Sequence, residues 1–281
     1  MPPLRTGLSN ADAQDDFLRA RRRQGLSRLT RWLSRADPSI DAILPFDEVV
    51  QALGRVGERV LGVHVISLDS IIGTVDRPRG FDRDFRPTSS KVRTRWERIA
   101  AAMRRGEAIP PISVYRIGEA HFVRDGHHRV SVARELGRDE IEAHVVEVLT
   151  RVGADRTLRL ADLPHKSHER LFHERVPLPP AARERIRLSD PWDYGVLAEG
   201  VEAWAFRVMQ DRGELLDREA AARLWWEEEY VPVLRLIEEA DLLGGGTEAD
   251  AYLRVSCDRY RLMHTHEWSE DVFARLRGLK R

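Results

Sequence analysis

The chain has 281 residues, 42% hydrophobic and 33% charged: enough apolar surface for one large domain or two ordinary ones, and too much for a disordered chain. Its 46 basic residues balance 46 acidic ones, which argues against a general nucleic-acid coat while leaving room for local patches. The single cysteine, Cys257, excludes a disulfide scaffold and a cysteine-based zinc site, and with no signal-peptide core and no apolar run of ~18–20 residues the chain is expected to be soluble and cytoplasmic, with no membrane partner.

Residues 1–45 read as a helical segment. Phe17, Leu18, Leu26, Leu29, Trp32 and Leu33 fall roughly on one face, arginines occupy the other, and Asp37-Pro38 ends the pattern. The run Arg21, Arg22, Arg23 suits either a solvated face or contact with phosphate or an acidic partner.

Residues 46–150 read as a compact α+β unit. "VHVISLDSI" (63–71) is rich in strand formers, and "SKVRTRWERIAAAMRRG" (90–106) is a helix closed by Gly106. "PISVYRIG" and "EAHFVRD" predict two strands joined at a glycine-containing turn. "HRVSVAREL" (128–136) is a helix closed by Gly137, and "EIEAHVVEV" (140–148) alternates like a strand. Between the first strand and helix, "VDRPRGFDRDFRPTSSK" (75–91) reads as too polar for core, hence a binding loop or an unstructured connector.

Residues 151–281 read as mostly helical. Asp217 is a candidate N-cap, Val231-Pro232 predicts a kink or break, and Thr247 with Asp250 makes a capping box with a shortened acid. Trp225, Trp226 and Tyr230 at helical spacing are core or interface rings rather than a base-stacking platform. The histidines of "HKSHERLFH" (165–173) and "HTH" (264–266) read as surface residues rather than metal ligands, and Cys257 as a small buried apolar residue.

The chemistry concentrates in "VRDGHHRVSVARELG" (123–137). A strand ends at Asp125, Gly126 permits the backbone of a tight turn, and a helix begins at the histidines. The first N–H groups of a helix lack intrahelical acceptors and carry its positive pole, so such a corner suits an anion. Arg129 adds a planar donor for phosphate; His127 and His128 supply donors or proton shuttles; Asp125 orients a histidine or holds Mg²⁺ beside a phosphate. The plainer alternative is that Asp125 caps the helix and the histidines are solvated.

From Val63 to Val148 the chain resembles the ParB/sulfiredoxin superfamily. The carriers are "ISLDSI", an arginine-bearing loop, a helix ending at Gly106, "IPPISVY", a hairpin, "VRDGHHRVSVARELG" and "IEAHVVEV". ParB-type proteins have Gly-Glu-Arg-Arg at this corner and hold the phosphates of CTP there, sulfiredoxins have Gly-Gly-Cys-His-Arg, and "DGHHR" is similar to the branch that includes free-serine kinases. The resemblance implies a ParB/sulfiredoxin-like mixed sheet and binding of a nucleoside di- or triphosphate (ATP, ADP or CTP) with Mg²⁺ at Gly126, His127, His128 and Arg129. It also turns the loop carrying Arg77, Arg79, Arg83 and Arg86 toward the same cleft.

The departures are informative. No cysteine stands at the corner, so sulfiredoxin chemistry is excluded. From Pro191 onward 19 acidic and 12 basic residues make a poor match for a DNA groove, which disfavours a ParB-like DNA-binding or nuclease role. A kinase needs a carboxylate beside the acceptor hydroxyl, for which Asp82 and Asp84 are candidates. The expectation is a nucleotide phosphate-binding protein acting as a phosphotransferase or NTPase. The alternative is a nucleotide-gated regulatory module recruiting a protein partner through its helical C-terminal region, with a homodimer compatible with either.

Overall fold

The computed structural model describes residues 9–33, 43–75 and 80–278, residues 25–33 by their backbone alone. Asp37-Pro38 and the loop arginines Arg77 and Arg79 lie outside the described residues. The chain divides into two compact units, residues 1–163 and 164–281. The architecture is α+β, as the sequence predicts, and no described helix is long and apolar enough to cross a membrane.

In the first unit, helix α1 (Ser9–Leu33) is followed by strand β1 (Leu44–Pro45), helix α2 (Phe46–Leu53), strands β2 (Arg55–Ser67) and β3 (Ile71–Thr74), and helix α3 (Arg93–Arg104). Then come the hairpin β4 (Ile112–Ile117) and β5 (Ala120–Asp125), helix α4 (His127–Glu135) and strand β6 (Glu140–Thr150). The six strands form one mixed sheet ordered β1-β3-β5-β4-β6-β2. β3 pairs parallel with β5, β5 antiparallel with β4, and β4 parallel with β6. The hairpin turns at Gly118, and its register runs from Ile117 opposite Ala120 to Ser113 opposite Asp125.

Alternation along the strands sends apolar residues to both faces. Ile112, Val114, Val123 and Val145 pack with Val130 and Ala133 of α4. Ile117, Ala120, Phe122 and Val148 pack with Phe46, Val49 and Leu53 of α2. β5, central in the sheet, is therefore buried along its first four residues. α3 buries Trp96, Ala100 and Met103, spaced as one helical face, against Phe17 of α1 and Val132 of α4. Trp96 meets Phe17 edge to face at 5.6 Å and donates its indole N–H to Ser131 Oγ at 2.8 Å, tying α3 to α4.

Two sequence expectations change here. Leu18 is 45% exposed, and the inward positions of α1 are Ala13, Phe17 and Ala20, a register that brings buried Asp16 onto Arg104 of α3 at 2.7 Å. The loop read as too polar for core plants two buried rings, Phe81 and Phe85. Phe85 sits at φ 59, a left-handed backbone costly for a non-glycine residue and compensated by complete burial of its ring.

The second unit is helical: α5 (Leu163–Arg175, beginning at the boundary), α6 (Pro180–Arg185), α7 (Asp193–Arg212), α8 (Arg218–Trp225), α9 (Val231–Glu239), α10 (Glu248–Met263) and α11 (Glu270–Gly278). Asp217 caps α8 by accepting from Ala220 N–H at 2.8 Å, and Thr247 with Asp250 closes the predicted capping box on α10. At Pro232 the chain does not break. Trp226–Tyr230 widens into a π-helical turn that joins α8 to α9, since the proline brings no N–H to the helical ladder. Trp225 and Tyr230 are core, Trp226 packs against it, and Tyr252 of α10 completes the ring cluster. His173 is buried rather than superficial, with neither ring nitrogen bonded, and Cys257 is exposed rather than buried.

Candidate functional site

β5 ends on the sequence Asp125-Gly126, and α4 starts at the next residue. Gly126 turns the chain at φ 111, a conformation side chains rarely adopt. A Cβ there would stand 2.5 Å from Ile112 Cγ2, so the corner is closed to any larger residue on steric grounds as well. The helix that follows begins on a cavity of about 210 Å³ lined by Arg95, Asp125, the two histidines and Arg129. That volume is below the ~300–1,000 Å³ of pockets that swallow a drug-sized ligand and suits the charged end of one.

The histidines have different jobs. Thr74 Oγ1 gives its only proton to Val123 O at 3.0 Å, so at 2.7 Å from His127 Nε2 it accepts, and the imidazole is the donor. Phe85 stacks on the same ring at 6.0 Å. His128 is half-buried, edge-on to Phe81 at 5.1 Å, with Nδ1 unbonded. Burial first, then Arg95 and His127, pushes its pKa down to about 4, so it is neutral at physiological pH. The two loop phenylalanines thus fix the two imidazoles.

Arg129 departs from expectation. Its Nη1 donates to Pro110 O and Pro111 O, both at 2.7 Å, and Nη2 reaches Asp125 Oδ2 at 2.5 Å. The side chain is only 13% exposed and clamps the approach to β4 onto the corner, where the sequence offered it as a donor for phosphate. The cation left for an anion is Arg95 of α3, an exposed cavity-lining residue with no ion-pair partner among the described residues. Sequence reasoning missed it. Nothing local marks it, and only the packing of α3 against α4 brings it to the corner.

The loop residues that sequence reasoning gathered at one cleft separate. Arg83, Asp84 and Arg86 line another cavity of about 530 Å³, together with Arg134. There Arg134 donates to Leu68 O at 2.7 Å and Ile71 O at 2.9 Å beneath the Phe85 ring. Asp82 shapes the loop: its Oδ1 accepts from Asp84 and Arg86 N–H at 3.1 and 2.8 Å, while burial raises its pKa. Among the described residues no three metal-binding side chains converge. Asp125, 66% exposed, suits the way Mg²⁺ binds with phosphates, through one or two carboxylates while keeping its waters.

Set beside known proteins, the chain matches no family model and no curated sequence.

Proposed function

We propose that the β5–α4 corner binds the phosphates of a nucleoside di- or triphosphate, with Asp125 as the protein ligand of an accompanying Mg²⁺. The observation that carries this reading is the meeting of the α4 N-terminus, bared by Gly126, with the unpaired guanidinium of Arg95. Backbone N–H groups and the helix pole favour negative charge, and Arg95 supplies a whole positive charge in the same cavity. His127, held as a donor toward Thr74, stiffens the turn, and neutral His128 offers the anion no competing charge balance to titrate. The resemblance of "DGHHR" to nucleotide-binding ParB-like and serine-kinase sequences supports the same ligand class.

A nucleotide-gated module is favoured over a fast phosphotransferase by one further feature. Of the two candidate bases, Asp82 gives its Oδ1 to two loop N–H groups and Asp84 pairs with Arg86 at 3.1 Å, so neither presents itself as a free base.

The test is thermal unfolding with ATP, ADP, CTP and GTP, each with and without Mg²⁺, on wild type and Arg95→Ala. A nucleotide at about 100 times its Kd should stabilise by about 2.7 kcal/mol through mass action. The expected result is a shift with at least one nucleotide that Arg95→Ala loses. No shift with any of the four sinks the reading, and an undiminished shift in the variant moves the site elsewhere. Release of nucleoside product on adding small alcohols would restore the phosphotransferase.

A further inference from the structure

The helical unit contains a cavity of different character. It is about 500 Å³, lies between α7 and α10, and is walled by Leu197, Val201, Trp204 and Leu253. Gly200 of α7 is exposed at the mouth of this cavity, and a Cβ placed there would meet nothing within 4 Å. Glycine in a helix interior costs about 1 kcal/mol relative to alanine, and here its effect is to leave open room.

Two arginines enter this apolar space. Arg259 is 5% exposed. Its Nη1 donates to His266 O at 3.0 Å, and its guanidinium lies 3.7 Å from the centre of the Trp268 ring. Its nearest carboxylate, Glu229, is 3.9 Å away, beyond hydrogen-bond range, and accepts instead from Trp268 Nε1 at 2.9 Å. The Nε of Arg259 is buried with no acceptor. Arg207 lines the same cavity and has no ion-pair partner among the described residues. Burial first, and then these two guanidinium groups, lower the pKa of His266 beside them. Glu199 is the other acid on the lining, and it is exposed.

A buried donor without an acceptor is costly, and so is a buried cation held by a distant carboxylate. The Nε itself has no surface open to the cavity, so what a ligand carboxylate would relieve is the charge: it would pair with half-buried Arg207 and offset the under-compensated cation of Arg259 on the same lining. We infer that this cavity binds a small amphipathic carboxylate, its acid paired with Arg207 on the lining shared with Arg259 and its apolar body against Trp204 and the bare turn at Gly200. Mostly apolar walls with a few placed polar groups are the usual form of a small-molecule site. The inference stands apart from the nucleotide reading, since every residue it uses belongs to the helical unit.

Cys257, the chain's single cysteine, is exposed on the lining and reports occupancy directly. The experiment follows its alkylation by iodoacetamide in the full chain, by intact mass, in mildly alkaline buffer. The probes are octanoate, octan-1-ol with the tail but no charge, and acetate with the charge but no tail. Octanoate at about ten times its half-saturating concentration should slow alkylation about tenfold, by mass action. Octanol and acetate at the same concentration should leave the rate nearly unchanged. Gly200→Leu puts a bulky side chain at the exposed mouth of the cavity while favouring the helix, and should weaken protection without lowering Tm. Arg207→Gln, at a half-buried position, should weaken octanoate about tenfold, the loss of one charge-assisted contact. The inference is overturned by any of three results: no protection by octanoate, equal protection by octanol, or full protection in Gly200→Leu.

Discussion

The two units make charged sites from opposite materials. At the β5–α4 corner the backbone does much of the work: a strand hands over to a helix, and the first N–H groups of α4 are left without intrahelical acceptors. The side chain placed beside them in sequence, Arg129, is consumed in holding the corner's shape. In the helical unit, α7 and α10 flank a cavity with their sides, where helical backbone groups are already bonded within each helix, so polarity at that cavity comes from side chains such as Arg207 and Arg259. The contrast teaches where to look for binding groups: at element ends in a mixed sheet, and at unpaired side chains in a helical bundle.

Mutations can break or sharpen that contrast. The largest effect should come from the helical unit's ring cluster: Trp225→Ala removes a side chain 1% exposed and packed on Tyr230 and Tyr252, and should cost roughly 3–5 kcal/mol in urea unfolding. A loss under about 1 kcal/mol would show that the cluster is not what holds that unit.

Acid comes next. Burial, with Arg183, Arg187 and Lys166 adding to it, pushes His173 down to about 3. The folded state therefore refuses a proton that the unfolded chain accepts near its ordinary value of 6.5. Stability from this group is complete above pH 6.5 and drains away as pH falls toward about 3, by up to roughly 5 kcal/mol. In the first unit His121, which burial lowers to about 4, adds a limb of the same sign. His173→Leu should flatten the acid limb measured by hydrogen exchange in residues 164–281 while leaving that of residues 1–163 in place. An unchanged limb in both would assign acid sensitivity to other groups.

Gly126→Ala tests the backbone half of the contrast. The left-handed φ and the 2.5 Å approach to Ile112 together should cost roughly 2–4 kcal/mol, read as lost hydrogen-exchange protection in β4 and α4. Smallest is Arg95→Ala, expected to alter stability by less than about 0.5 kcal/mol, because the exposed side chain holds nothing in place. Arg129→Ala should do the reverse, destabilising the corner through three lost hydrogen bonds. Equal stability of these two variants would erase the division between a structural and a ligand-facing arginine.

Local signals carried much of the α+β unit. Periodicity marked α3, α4 and β6, the glycine turn marked the β4–β5 hairpin, and positive φ at Gly106, Gly126 and Gly137 falls where turns and helix ends were expected. The caps at Asp217 and Thr247 were equally legible, since a cap is made by residues three apart. The polar loop misled. Composition averaged over 75–91 hid Phe81 and Phe85, whose burial depends on imidazoles more than forty residues away in sequence.

The sequence by itself determined what neighbours along the chain can decide: the helices and strands, their stops, and a corner of unusual chemistry at 125–129. The tertiary structure decided which cations stand free. Arg129 and Arg95 are the same residue type, and no local pattern separates them. Carbonyls of Pro110 and Pro111 capture one, while the packing of α3 on α4 carries the other to the cavity unpaired. Arg259 shows the same dependence on packing: that its Nη1 finds His266 O while its Nε finds no acceptor emerges only when α10, Trp268 and Glu229 are assembled around it. Hydrogen bonding and burial are pairwise properties of distant segments, and they fix which of two identical side chains serves the fold and which is left for a ligand.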